Sequence, residues 1–332
     1  MVVEGSGSSL MSFWSSLSPS ESSCPISALT QRSVESSIQS VHWMIRNRGG
    51  FAWLTGLVLL PSQFGRSSAD NEKIITTAAA GASYKIEKFT LTHKKDDTIF
   101  SGIIYYPPGW NPADKSRCIA YHNPNGATIA DFFVDGQLFW TPGELAQLKK
   151  CPIVMYDYRG SGISQDNYTS SLSFRPTYAT VVEDGVVALE HVLKQFKQAE
   201  VWGSSLGGGV AAKALALHLE AHPTDGGRVS LANHDSFSTS SRVILPSWHL
   251  GADWAGWAIG GHIDAETAIR SLIDRGIKIT ILCHRQDPVI PAGARLAEKI
   301  EALALNTGVR FIYSPSYGHA NLSPDMIDQL RV

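Results

Sequence analysis

Ser205 sits in Val201-Trp202-Gly203-Ser204-Ser205-Leu206-Gly207-Gly208-Gly209-Val210, a stretch that reads Gly-x-Ser-x-Gly. Apolar residues precede it, and a helix-forming run from Ala211 to Leu219 follows. The pattern predicts a strand that turns sharply into a helix at Ser205. Such a turn strains the serine backbone and projects the hydroxyl outward. Gly203 and Gly207 flank it because a Cβ at either position would collide with the neighbouring strand or helix. The helix N-terminus then aims free N–H groups and its positive dipole end at the reacting centre. Five residues of this kind also occur in plain glycine-rich turns, so their meaning depends on context.

A serine hydroxyl is a poor nucleophile at neutral pH and needs a base. In sheets where strands alternate with helices, reactive groups sit on loops beyond the carboxyl ends of the strands. Two such loops carry suitable residues. His284-Arg285-Gln286-Asp287-Pro288-Val289-Ile290-Pro291 follows the apolar run Ile277–Cys283, and Tyr317-Gly318-His319-Ala320-Asn321 follows Val309–Tyr313. Asp235, after the run Val229–Ala232, is the rival to Asp287; its neighbours Ser236 and Ser238 suit a helix cap or turn.

The order Ser205, Asp287, His319 resembles that of the α/β-hydrolase superfamily. Asp287-Pro288-Val289-Ile290-Pro291 is similar to its acid loop and Ser316-Tyr317-Gly318-His319 to its histidine loop. The resemblance spans roughly residues 84 to 332. It implies that Ser205 attacks an acyl carbon, that His319 takes its proton and returns it to the leaving group, and that Asp287 holds the imidazole tautomer. It also implies an oxyanion hole with one donor at the backbone N–H of Leu206. The second donor belongs to the loop Tyr121-His122-Asn123-Pro124-Asn125-Gly126-Ala127. Asn123 stands where relatives often have glycine, and Pro124 has no N–H to give. Asn123 is the candidate, with Asn125 or Gly126 taking over if the loop bulges. Tyr156-Asp157-Tyr158-Arg159-Gly160-Ser161-Gly162 is similar to the superfamily's D-x-R-G-x-G turn and reads as structural.

The elements that must position these groups are legible as periodicity. Tyr84–Thr92 and Thr98–Tyr106 form an expected antiparallel hairpin at a sheet edge. Short apolar strands are expected at Arg117–Tyr121, Ile153–Tyr156, Glu200–Trp202, Val229–Ala232, Ile277–Leu282 and Val309–Tyr313. Helices are expected near Glu144–Lys150, Tyr178–Phe196, Ala265–Asp274 and Ala292–Leu305. The alternation predicts an α/β fold, the α/β-hydrolase fold by resemblance, with a mostly parallel central sheet covered by helices on both faces.

Residues 1–70 differ in character. The first forty are rich in serine and carry few charges, which predicts a largely disordered leader dispensable for activity. Within it, Phe51–Leu60 is an apolar run behind Arg46 and Arg48. It is either a short helix docked on the main domain or a membrane-touching or targeting segment. It begins too far along the chain for an ordinary signal peptide and is short for a bilayer span. The chain is expected to be cytoplasmic or exported from a bacterium. Residues 71–332 form the expected catalytic domain. It includes an aromatic-rich insertion near 236–261, whose Trp248, Trp254 and Trp257 are either a sheet-covering helix or one wall of an apolar acyl pocket.

The net charge of -2 gives no basic footprint for nucleic acid. The spacing of Cys24, Cys118, Cys151 and Cys283 suggests neither a zinc site nor a disulfide framework. No motif calls for a metal or an organic cofactor: His218-Leu219-Glu220-Ala221-His222 has the wrong order for the zincin motif and reads as a solvated helix end. The expected activity is a serine hydrolase acting on a small-molecule or acylated-protein ester or thioester. A peptidase of the same fold is the alternative within that class, and a catalytically weak binding module is the alternative outside it.

Overall fold

Alternation along the strands decides the layers. In the strand Ile153–Tyr156, Ile153 and Met155 enter one apolar cluster, whereas Val154 packs in another on the opposite side. Every residue of that strand is buried, as expected of a strand covered on both faces. The structure, a computed structural model, describes residues 66–331 apart from 96, 166–175, 245–261 and 302–307. The Phe51–Leu60 run, the chain before Arg66, and Trp248, Trp254 and Trp257 therefore lie outside the described residues.

One sheet of eight strands organises the domain. In chain order they are β1 (Lys85–Thr92), β2 (Ile99–Tyr106), β3 (Arg117–His122), β4 (Ile153–Tyr156), β5 (Gln198–Ser204), β6 (Val229–His234), β7 (Ile279–Gln286) and β8 (Arg310–Tyr317). Their spatial order is β1-β2-β4-β3-β5-β6-β7-β8. β2 pairs antiparallel with β1 and β4, and every other pairing is parallel. The hairpin expected at the sheet edge is β1–β2.

The helices are α1 (Ser68–Ala79), α2 (Trp140–Lys149), α3 (Tyr178–Gln195), α4 (Leu206–Ala221), α5 (Ser240–Ile244), α6 (Ala265–Asp274), α7 (Leu296–Glu301) and α8 (Pro324–Arg331). On one face of the sheet, α1, α2 and α8 bring Ile75, Leu145 and Met326 against Ile153, Met155 and Trp202. On the other, α3, α4, α6 and α7 bring Val192, Leu215, Ile269 and Ile300 against Val154, Val201, Leu231 and Ile281. Both faces are thus covered, as the alternation predicts.

Several elements depart from the sequence reading. α1 was not expected: its buried positions are Asn71, Ile75 and Ala78, too small and polar a stripe to stand out. Ser67 caps it by accepting from the N–H of Asp70, so a domain boundary drawn at residue 70 falls inside a helix. β7 runs past Cys283 through Gln286, which places His284 in the sheet rather than in a loop. The helix expected over 292–305 breaks at Arg295. There the guanidinium donates to the carbonyls of Arg285, Asp287 and Ile290, fastening the loop after β7.

The Asp157–Gly162 turn is structural, as read. Arg159 and Asp184 have fully buried side chains and pair through Nε at 3.0 Å, and the Arg159 N–H adds a bond to Asp184 at 3.2 Å. Burial raises the Asp184 carboxyl and the guanidinium opposes that rise. Removing one partner of such a pair leaves an uncompensated charge, so Asp184→Asn is expected to cost about 3–5 kcal/mol. Urea denaturation of the purified variant measures it; a loss under about 1 kcal/mol would mean that Arg159 finds another partner.

Candidate active site

The turn at Ser205 is built by close packing. Ser205 has φ 54° and ψ −118°, a conformation that L-residues avoid. Its N–H donates to His234 O at 2.8 Å, and its carbonyl accepts from Gly208 N at 3.0 Å and Ser236 Oγ at 2.9 Å. A Cβ on Gly203 would come within 2.1 Å of Gly207 O, and one on Gly207 within 2.1 Å of His122 O. Glycine at both positions lets β5, the first turn of α4 and the loop after β3 share one small volume.

The two loops predicted to serve Ser205 converge on it. His319 Nε2 lies 2.8 Å from Ser205 Oγ, and His319 Nδ1 lies 2.8 Å from Asp287 Oδ2. The other Asp287 oxygen accepts from the N–H groups of Val289 and Ile290 at 2.7 and 3.0 Å. Asp287 is thereby fixed with one oxygen free for the imidazole. Its bond to Nδ1 keeps the proton there and leaves Nε2 to accept from the serine. Asn321 Oδ1 accepts from His319 N at 3.0 Å and shapes the histidine loop.

Asn123 lies against the first turn of α4, since a Cβ on Gly207 would also meet Asn123 O at 2.6 Å. Its Nδ2 donates to Tyr156 O at 3.1 Å and Asp157 Oδ1 at 3.2 Å, and its carbonyl accepts from the Tyr158 hydroxyl at 3.0 Å. Asp157 also accepts from Ile129 N and Ile163 N, so one buried carboxylate ties three loops together. Burial pushes Asp157 up to about 7 against the pull of these donors. Leu206 is the first residue of α4, where backbone N–H groups have no intrahelical acceptor. His122 is fully buried, meets the Tyr156 hydroxyl at 2.8 Å and is driven down to about 3 by burial, which keeps it neutral.

No protein-family model matches the sequence, and no curated protein matches it. Solved structures do. An esterase of Pyrococcus furiosus superposes with a TM-score of 0.50 at 11% identity, over 80% of this chain and 91% of that one. A hyperthermophilic esterase from the archaeon Pyrobaculum calidifontis superposes with a TM-score of 0.50 at 14% identity, over 93% of this chain and 95% of that one. The chain has the α/β-hydrolase fold.

In this α/β-hydrolase fold, Asp235 has a role that the sequence reading missed. Read as a cap or turn former, it is instead a buried hub. One oxygen accepts from His284 N at 2.7 Å; the other meets His284 Nδ1 at 2.7 Å and accepts from Ala320 N at 2.8 Å, with His234 Nε2 at 3.2 Å. Burial alone would raise this carboxyl, but His234 and His284 outweigh it and hold Asp235 far below the usual carboxylate range. Asp235 thus anchors the residue after His319 while Asp287 faces the imidazole. No short sequence signal could reveal this, because its partners lie 49 and 85 residues away.

The sequence reading also missed the start of α2, which it placed near Glu144. Thr141 Oγ1 donates to Ala320 O at 2.8 Å, which brings the start of α2 to the histidine loop. Just before Thr141, Phe139 and Trp140 remain partly exposed, and Tyr317 is 66% exposed beside His319. Trp248, Trp254 and Trp257 are outside the described residues. A cavity of about 500 Å³ lined by Tyr105, Trp110 and Lys150 lies at the other end of the strands from Ser205, since Tyr105 pairs with the first residue of β4. Among the described residues, no helix is long and apolar enough to cross a membrane.

Asp235→Asn is expected to destabilise the protein by about 2–4 kcal/mol, because charge-assisted bonds to β7 and to the histidine loop are weakened at once. The folded-state pKa lies below the unfolded value of about 3.9, so the contribution is complete above about pH 4 and fades on acidification. Denaturation midpoints of wild type and variant should therefore converge below about pH 4. Equal stability at pH 7, or a gap that widens in acid, would remove Asp235 from this role.

Proposed function

We propose that this chain is a serine hydrolase that cleaves ester or thioester bonds through an acyl-enzyme on Ser205. The observation that carries the reading is His319 standing 2.8 Å from both Ser205 Oγ and Asp287 Oδ2, with the serine on a strained turn. The esterases it superposes on support the choice of bond.

In this reading Ser205 Oγ attacks the acyl carbon as its proton passes to His319 Nε2. Asp287 stabilises the imidazolium that forms. The oxyanion takes hydrogen bonds from the backbone N–H groups of Leu206 and Asn123, preorganised by the α4 N-terminus and by the Asp157 tie. His319 then gives its proton to the departing alcohol or thiol, and water repeats the sequence to release the acid. Phe139, Trp140 and Tyr317 offer apolar surface near the histidine loop, which favours a small or accessible acyl ester over a charged peptide. The substrate is a small molecule or an acyl group carried on a protein.

Ser205→Ala is expected to reduce turnover of a small chromogenic ester by about 10⁶ while leaving the fold intact, and to abolish fluorophosphonate labelling. Ser204→Ala should be mild. Asp287→Asn should lower turnover by about 10⁴, far more than Asp235→Asn, because only Asp287 fixes the histidine tautomer. Initial rates on a chain-length series of esters and thioesters measure both. Wild-type protein that resists the probe would turn the reading toward a binding module; an Asp235→Asn loss exceeding that of Asp287→Asn would move the acid to β6.

A further inference from the structure

The last turn of α4 holds an arrangement that the serine chemistry does not use. His218 and His222 are four residues apart, with ring centroids 4.8 Å apart, and Glu190 comes from the neighbouring α3. One ligand-capable atom from each of the three lies within 4.8 Å of the others. Asp225 Oδ2 sits 3.0 Å from His218 Nε2. That bond puts the proton on Nε2 and leaves Nδ1 with its lone pair. His218 is 3% exposed, and its Nδ1 is buried without a hydrogen-bond partner.

We propose that Glu190, His218 and His222 bind a divalent transition-metal ion, with Zn²⁺ or Ni²⁺ as the ions their chemistry fits. Two imidazoles and one carboxylate make a nitrogen-rich donor set, unlike the oxygen cages of Ca²⁺ and Mg²⁺. A carboxylate on the far nitrogen of a ligating histidine is the usual way its tautomer and orientation are set, and Asp225 occupies that place. Tetrahedral zinc needs donors roughly 3.4 Å apart at its ordinary bond lengths. Small rotations of exposed His222 and half-buried Glu190 supply the difference. Lys194 Nζ, 3.9 Å from Glu190, is well exposed and free to swing aside.

The site is structural in character. His218 lies thirteen residues beyond Ser205 along a helix rising about 1.5 Å per residue, roughly 20 Å from the serine. An ion there joins the C-terminal ends of α3 and α4, where helix dipoles also favour positive charge.

The test uses the full chain, stripped with a chelator and desalted, titrated with ZnCl₂ and NiCl₂ by calorimetry and thermal melting, with MgCl₂ and CaCl₂ as controls. One zinc or nickel per chain should bind and raise the Tm. His222→Ala and Glu190→Gln should each weaken binding at least tenfold and remove the thermal shift, without change in ester hydrolysis. His218 is left in place because it is buried. Absence of binding to wild type, or equal affinity in His222→Ala, overturns the proposal. Zinc that inhibits hydrolysis at the binding concentration, unaffected by His222→Ala, would place the ion at Asp235, Asp287 and His319 instead.

Discussion

The structure depends on how closely the first turn of α4 can approach β5 and the loop after β3. At Gly203 and Gly207 backbone meets backbone at distances that leave no room for a methyl group. This contact holds Ser205 at positive φ, and from that conformation the hydroxyl reaches a histidine on a loop two strands beyond β6. The strain is held by packing on every side: by the His234 carbonyl, the Ser236 hydroxyl and the Asn233 amide bonded to Gly208 O. Relaxing any of these would let the serine fall back into an ordinary conformation, out of the histidine's reach.

Around that contact the polar groups divide by task. Asp287 keeps one oxygen for its own loop and one for the imidazole. Asp235 spends both oxygens on structure. Asp157 does the same for the loops around Asn123. Of these three buried carboxylates, Asp287 is the one that presents an oxygen to the histidine in contact with the serine. Arg295 completes the scaffold by clamping three carbonyls of the acid loop.

Much of this was legible in the sequence because the signals were local. The strands read as apolar runs, and Gly203, Ser205 and Gly207 read as a turn because steric demand within five residues needs no distant partner. Asp287 and His319 could be chosen because each follows a strand directly. What was not legible depended on long-range partners. The hub at Asp235 draws on three segments, and the break at Arg295 comes from carbonyls in the preceding loop rather than from helix propensity. α1 escaped notice because Ile75 is the one large apolar residue among its buried positions Asn71, Ile75 and Ala78, which leaves no apolar stripe to read. His222 is exposed, as read for a solvated helix end, whereas His218 is buried, with Asp225 reaching it from outside the motif.

The shared carboxylate of Asp235 has a consequence for how such a protein can change. The segment that leads to Asp287 and the segment that carries His319 hang from the same two oxygen atoms. They are mechanically coupled: an insertion or a shape-altering substitution in either one pulls on the common tether and so is felt by the other. Libraries that diversify only the histidine loop sample a coupled pair with one member frozen. The coupling extends one step further, because Thr141 at the start of α2 bonds the carbonyl of the same Ala320 whose N–H is held by Asp235.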